Sequence, residues 1–157
     1  MTAILYLLLA TAFPSSSATS WMEPEAFRLK IGMRKSEAVA ILRDGGLKPT
    51  EGKAGDLVVE YDETRTVTLA FQNGKLSSAR FELVDFVPAV TRAFAEQKLT
   101  LEKRFGPATV RPSEKTLIYD RRNPNVFAVL STDPATEFGK RGLGFLVVRY
   151  FEPPPAD

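Results

Sequence analysis

The chain has 157 residues, with 21 Lys and Arg against 19 Asp and Glu, 44% hydrophobic residues, and neither histidine nor cysteine. The near balance of charge persists along the chain: 10 basic and 10 acidic residues through Val84, then 11 and 9 from Asp85 onward. Neither half carries a single-sign field, which argues against nucleic acid or an anionic membrane as the main partner. Without histidine or cysteine the commonest general base, the thiol nucleophile and nearly all zinc, copper and haem ligation are removed, so no metal and no cofactor is expected.

No charged side chain precedes Glu23, and Ile4 to Phe13 is an apolar run followed by small and polar residues to Ser20. A bilayer crossing needs about 20 apolar residues, so the run is too short to span and fits the core of a secretory signal. Ser16-Ser17-Ala18 supplies the small residues for cleavage after Ala18, although no Lys or Arg marks the n-region. The alternative is an uncleaved anchor or a misplaced start. Cleavage predicts a periplasmic or secreted protein of 139 residues, with no cysteine to carry a lipid and no stable membrane anchor. That length suits a single domain, taken as 19–152, with 153–157 a frayed Pro-rich tail.

The first helix is expected to begin at Ser36, as cap or first turn, and to run to Asp44. Ala38, Val39, Ile41 and Leu42 form its apolar stripe, and Gly45-Gly46 supplies the left-handed stop. After a polar loop from Leu47 to Gly55 come three strands: Leu57 to Tyr61, Thr66 to Phe71 and Ser77 to Leu83. Asn73-Gly74 is a hairpin signal between the last two. Their alternation places Val67, Leu69, Phe71, Ala79, Phe81 and Leu83 on the core side.

A second helix starts near Asp85, carries Val90, Phe94, Leu101 and Phe105 at helical spacing, and stops at Gly106-Pro107. Three more strands follow: Thr116 to Arg121, Val126 to Ser131 and Leu143 to Phe151. Thr132 to Gly142 is a connection well beyond the usual hairpin loop of about 2–5 residues.

The two halves repeat one pattern. A helix ending in glycine leads through a loop to a Tyr-Asp pair and alternating strands: Gly46 to Tyr61-Asp62 is 15 positions, and Gly106 to Tyr119-Asp120 is 13. The expected fold is therefore α+β, with two helix-plus-β-hairpin repeats (27–84 and 85–152) forming a mostly antiparallel sheet with helices on one face. The later strands are apolar on both sides, with Phe127 and Val129 alternating against Val126, Ala128 and Leu130. Such strands are either covered on both sides or present a partner surface.

Ile31-Gly32-Met33, Ser36-Glu37-Ala38-Val39 and the helix end Gly45-Gly46 resemble the family of the outer-membrane assembly lipoprotein BamE (SmpA/OmlA). The chain is similar also to the beta-lactamase inhibitor protein, which shares that fold. The resemblance covers Phe27 to Leu83 best. It implies helices packed on one sheet face, the other face or its loops engaging another protein, and structural roles for Gly32, Met33, Val39 and Leu42. The chain departs from it in lacking both the lipid-bearing cysteine and the inhibitor's disulfides.

Catalysis has few candidates. Glu60, Asp62, Glu63 and Asp44 could supply paired carboxylates, but Arg65 and Lys53 lie close by and solvated turn charge is the ordinary reading. Ser113 and Lys115 lack a nucleophile elbow. The Tyr-Asp pairs mark strand ends. Phe138, between Asp133 and Gly142 with Lys140 and Arg141 beside it, has the makeup of an interface anchor with a cationic rim, or else folds back on the sheet edge. The expectation is a non-enzymatic protein-binding module of the bacterial envelope, contacting another envelope or secreted protein through Phe127, Phe138, Lys140, Arg141 and Tyr150. The alternative is a small apolar or lipid ligand held between sheet and helices, whose distinguishing mark is a closed cavity of a few hundred Å³ under the second helix.

Overall fold

The structure, a computed structural model, describes residues 19–122, 125–133 and 142–151, without the side chains of 121–127 and 133. After a short 3-10 turn at Pro24–Phe27 come helix α1 (Lys35–Asp44) and strands β1 (Thr50–Glu51), β2 (Leu57–Glu60), β3 (Arg65–Gln72) and β4 (Lys75–Phe86). Helix α2 (Val87–Phe105) leads to β5 (Val110–Ser113), β6 (Thr116–Arg122), β7 (Asn125–Asp133) and β8 (Leu143–Phe151). The eight strands form one antiparallel sheet in the order β1-β2-β3-β4-β8-β7-β6-β5. The fold is α+β.

Local chemistry accounts for the element ends. Lys35 donates its backbone N–H to the Gly74 carbonyl (3.0 Å), so the tip of the β3–β4 hairpin, not the expected Ser36 hydroxyl, meets the first turn of α1. Ser36 falls inside that turn. Asn73 and Gly74 both take positive φ (52° and 72°), the requirement of a two-residue I′ hairpin. At the other end of α1 it is Gly46, with φ 79°, that adopts the left-handed conformation, while Gly45 stays near helical φ. Gly32 donates to the Leu76 carbonyl (2.7 Å) and Met33 accepts from the Leu76 N–H (2.8 Å), which ties the Gly-Met turn to the start of β4.

The core occupies one side of the sheet. Across the strands the register aligns Val67, Phe81, Val148, Leu130 and Leu117 in one row, and Leu69, Ala79, Tyr150, Ala128 and Tyr119 in the next, all buried. Ala38 and Leu42 of α1 and Val90, Ala93 and Leu101 of α2 pack on these rows. The segment before α1, to which no element is assigned from the sequence, adds Trp21, Met22 and Leu29 to the same core. Phe81 sits at its centre, with ring centroids 6.2 Å from Trp21, 6.0 Å from Phe27 and 5.9 Å from Tyr150.

Phe71, expected on the core face, is only half-buried. It still packs against the core from that face; the register shift between Ala70 and Phe71 sets it opposite Leu76, which is thereby brought onto the core face and buried. Two short strands, β1 and β5, also lie where loops are expected. Their residues are all exposed, so neither shows the apolar alternation that marks a half-buried strand.

Truncating the central ring tests this packing. Phe81→Ala is expected to cost about 3–5 kcal/mol in urea unfolding, whereas Leu99→Ala on the exposed side of α2 should change stability by less than about 0.5 kcal/mol. Equal effects would show that Phe81 is not the keystone of the core.

Candidate binding groove

Helix α2 turns one flank toward the β5–β6 hairpin. Val87, Thr91, Phe94 and Lys98 recur at spacings of three and four, which places them along one side of the helix. Opposite them the hairpin closes tightly, Ser113 Oγ accepting the Lys115 N–H at 3.2 Å. This is a turn contact; the Ser113 hydroxyl is engaged with backbone. Between helix and hairpin lie two recesses that share Phe94 and Glu114. The larger, about 420 Å³, is bounded by Phe94, Lys98, Arg111, Ser113, Glu114 and Leu117. The smaller, about 230 Å³, is bounded by Val87, Val90, Thr91, Phe94, Lys115 and Gly144 among others. Both open to the surface, so the space beside α2 is a groove and not the closed cavity named as the mark of a ligand binder.

Gly144 sets the depth of the smaller recess. A Cβ at this position would come within 3.6 Å of Val87 Cγ2 and of Val90 Cβ, and would occupy the floor. Its φ is not in the left-handed region, so what its lack of a side chain provides here is space rather than a turn.

A third recess of about 210 Å³ lies between the 3-10 turn and the end of α1, walled by Phe27, Ile41, Leu42, Leu47 and Tyr61. Tyr61 stacks on Trp21, and the Arg65 guanidinium lies over the Tyr61 ring at 4.4 Å. Arg65 is held there by Asp62. Its Nε donates to Asp62 Oδ2 at 2.6 Å, and Asp62 Oδ1 accepts from the Thr64 N–H, the Thr64 hydroxyl and the Arg65 N–H, each at 2.9 Å. The Arg65 hydrogen bond, aided by those of Thr64, holds the Asp62 carboxyl far below its ordinary range. Asp62 is thus the acceptor that closes the β2–β3 turn.

The Tyr-Asp repeat does not place equivalent residues. Tyr61 lies just past β2 and is 42% exposed, whereas Tyr119 lies within β6 and is fully buried.

At the end of α2, Arg104 clamps the N-terminal segment: its guanidinium reaches Glu25 at 2.7 Å and Glu23 at 3.5 Å. Burial raises the Glu23 carboxyl against the pull of Arg104. Burial also works to raise Glu25, but the Arg104 hydrogen bond, its own backbone N–H and the guanidinium charge outweigh it, and the carboxyl sits below its usual range. Behind this clamp the Tyr150 hydroxyl is pushed far up, first by burial and then by the charges of Glu23 and Glu25. Beside it the fully buried Gln97 amide faces the Tyr150 hydroxyl closely enough to counter part of that rise, although the contact falls short of strict hydrogen-bond geometry.

Tyr150 therefore requires a correction. Expected on a partner-binding face, it is 4% exposed, lies on the helix-covered side opposite Ala79 and Ala128, and belongs to the core. Phe127 alternates with Ala128 and pairs by backbone with Phe151 and Asp120, so it is out of phase with Tyr150; its side chain lies outside what the structure describes. Phe138, Lys140 and Arg141 lie outside the described residues, as does the segment 1–18. The groove residues were not anticipated as a site. Phe94 reads as core by its helical spacing, and a groove against β5 cannot be inferred while β5 is taken for loop.

No family model, no curated protein and no solved structure matches the chain. Among the described residues no helix is long and apolar enough to cross a membrane.

Three measurements check this geometry. Asp62→Ala should lower stability by about 1–2 kcal/mol near neutral pH, mostly through the lost turn hydrogen bonds, because solvent screens the partly exposed ion pair. Since the folded carboxyl lies below its ordinary value of 3.8, this contribution is complete above that pH and fades as pH falls below it. Melting curves of wild type and variant should accordingly converge on acidification, and a gap that widened would contradict the assignment. Arg104→Met should release residues 19–29 to faster amide exchange while costing only about 0.5–1 kcal/mol globally. Gln97→Leu, which leaves the buried Tyr150 hydroxyl facing an apolar side chain, should cost about 1–3 kcal/mol in urea unfolding; no loss would show that the Gln97–Tyr150 contact contributes nothing.

Proposed function

We propose that the protein is an exported, non-enzymatic binding module of the bacterial envelope that engages another protein through the helix-free face of its sheet. The observation that supports this reading is the composition of that face. Both helices pack on the opposite side, and the register sets the half-buried Val84, Phe145, Val129 and Ile118 on the free one around the buried Val147, with the Arg80–Glu82 ion pair beside them and Arg149 over Phe151 at 4.9 Å nearby. A sheet face carrying aliphatic and aromatic residues with a cationic margin has the makeup of a protein-binding surface. The loop residues Phe138, Lys140 and Arg141, together with Phe127, belong to the same proposal from the sequence. So do cleavage after Ala18 and the origin of the two halves as copies, the latter supported by the helix followed by antiparallel strands in each.

Photo-crosslinking in bacterial cells tests the reading. A crosslinker at Val129 or Phe145 should capture one discrete partner band that Ile118→Glu weakens at least several-fold, whereas a crosslinker at Leu99 on the far side of α2 should not capture it. Capture from Leu99 alone, or no effect of Ile118→Glu, would refute the face proposed here. Intact mass of the exported form should place its first residue at Thr19.

The groove beside α2 favours a second reading, in which the protein holds a small apolar ligand. The larger of its two open recesses, about 420 Å³, falls on the scale of small-molecule sites, roughly 300–1,000 Å³, and the smaller, about 230 Å³, adjoins it at Phe94 and Glu114.

A further inference from the structure

We propose that the α2–hairpin groove takes a single-chain amphiphile with an anionic head, the apolar chain lying along α2 and the head meeting Lys98 and Arg111. This inference rests on the small-ligand reading and specifies its chemistry. From Val87 to Lys98 the groove runs eleven residues along the helix, about 16 Å at the α-helical rise per residue. One end has Val87, Val90 and the bare backbone of Gly144 as its floor, and Phe94 and Leu117 continue the apolar surface toward the other.

Cations predominate on the rim. Lys98, Arg111 and Lys115 stand against a single lining acid, Glu114. Lys98 and Lys115 join no ion pair among the described residues. Arg111 has only a long contact to Glu102, 3.7 Å, and its side chain is 58% exposed, so its donors are available to a carboxylate. Lysine stems cover apolar surface while their ammonium groups remain in water, which suits a site where an aliphatic chain meets a charged head.

Size points away from a peptide occupant. A stable protein interface buries on the order of 1,200 Å² or more, and a groove three helical turns long offers much less. Burial of an alkyl chain supplies the affinity, and the cations select the head.

Titration of the full mature chain with dodecanoate, dodecanol and dodecyltrimethylammonium, all below micellar concentration, tests the inference. Dodecanoate should bind saturably at one site and about tenfold more tightly than dodecanol, with the ammonium compound weakest. The double variant Lys98→Gln, Arg111→Gln should reduce dodecanoate affinity to that of dodecanol and leave dodecanol unchanged, and Lys98→Arg should retain the preference. Gly144→Leu, which fills the floor, should abolish binding of both; if circular dichroism shows it unfolded, the surface charge variants decide alone. Equal binding of acid and alcohol, or indifference to the double variant, would overturn the anionic head while sparing the small-ligand reading. Absence of saturable binding by any of the three would overturn both.

Discussion

The pairing of β4 with β8 is the constraint on which the rest of the molecule depends. Its register runs unbroken from Ser78 opposite Phe151 to Phe86 opposite Leu143, and among the described residues it is the only ladder joining the first four strands to the last four. Residues more than fifty positions apart must meet before either half has a complete core, because Phe81 and Leu83 face Val148 and Leu146 across this seam. Closing so long a loop is entropically costly, and the buried rows on either side of the seam repay it. The same ladder positions α2. The Val87 N–H donates to the Gly142 carbonyl (3.1 Å) at its end, so the helix starts where the ladder stops and is laid back over β8 and β7.

Elements with strong local periodicity were legible from the residues alone. Both helices, the Asn73-Gly74 hairpin and the core alternation of β3 and β4 follow from spacing and glycine placement, because there the local preference and the final packing agree. Where they part, tertiary contact decided. The β3–β4 irregularity brings Leu76 onto the core face beside Phe71, and no pattern within Ser77 to Leu83 announces it. Strands β1 and β5 owe their conformation to a neighbour and not to an apolar face. For β8, alternation separates Leu146, Val148 and Tyr150 from Phe145 and Val147 correctly, yet two apolar sets look alike until the helices choose between them. That is why Tyr150 was placed on the wrong side. The groove was illegible for a related reason: it is formed by residues of α2, β5 and β8 that only the seam brings together.

The sheet thus separates two kinds of surface. On one side the helices leave a lined groove with a cationic rim; on the other, aliphatic side chains stand half-buried with no helix above them. The clamp of Arg104 on Glu23 and Glu25 and the turn closed by Asp62 belong to the first side and hold the N-terminal segment over the aromatic cluster. Their ionic groups are consumed in holding backbone and ring in place, and the proposals for recognition rest on surfaces these contacts leave free.

The two margins of the sheet carry a further consequence. One ends in a strand of two residues, and the other in Val110–Ser113, where Pro112 lacks a donor and the pairing to β6 slips out of register. A lattice of strands with such borders offers no template for another chain to extend it sideways. Borders of this kind disfavour the addition of a foreign strand and so favour approach to a face of the sheet over its edge.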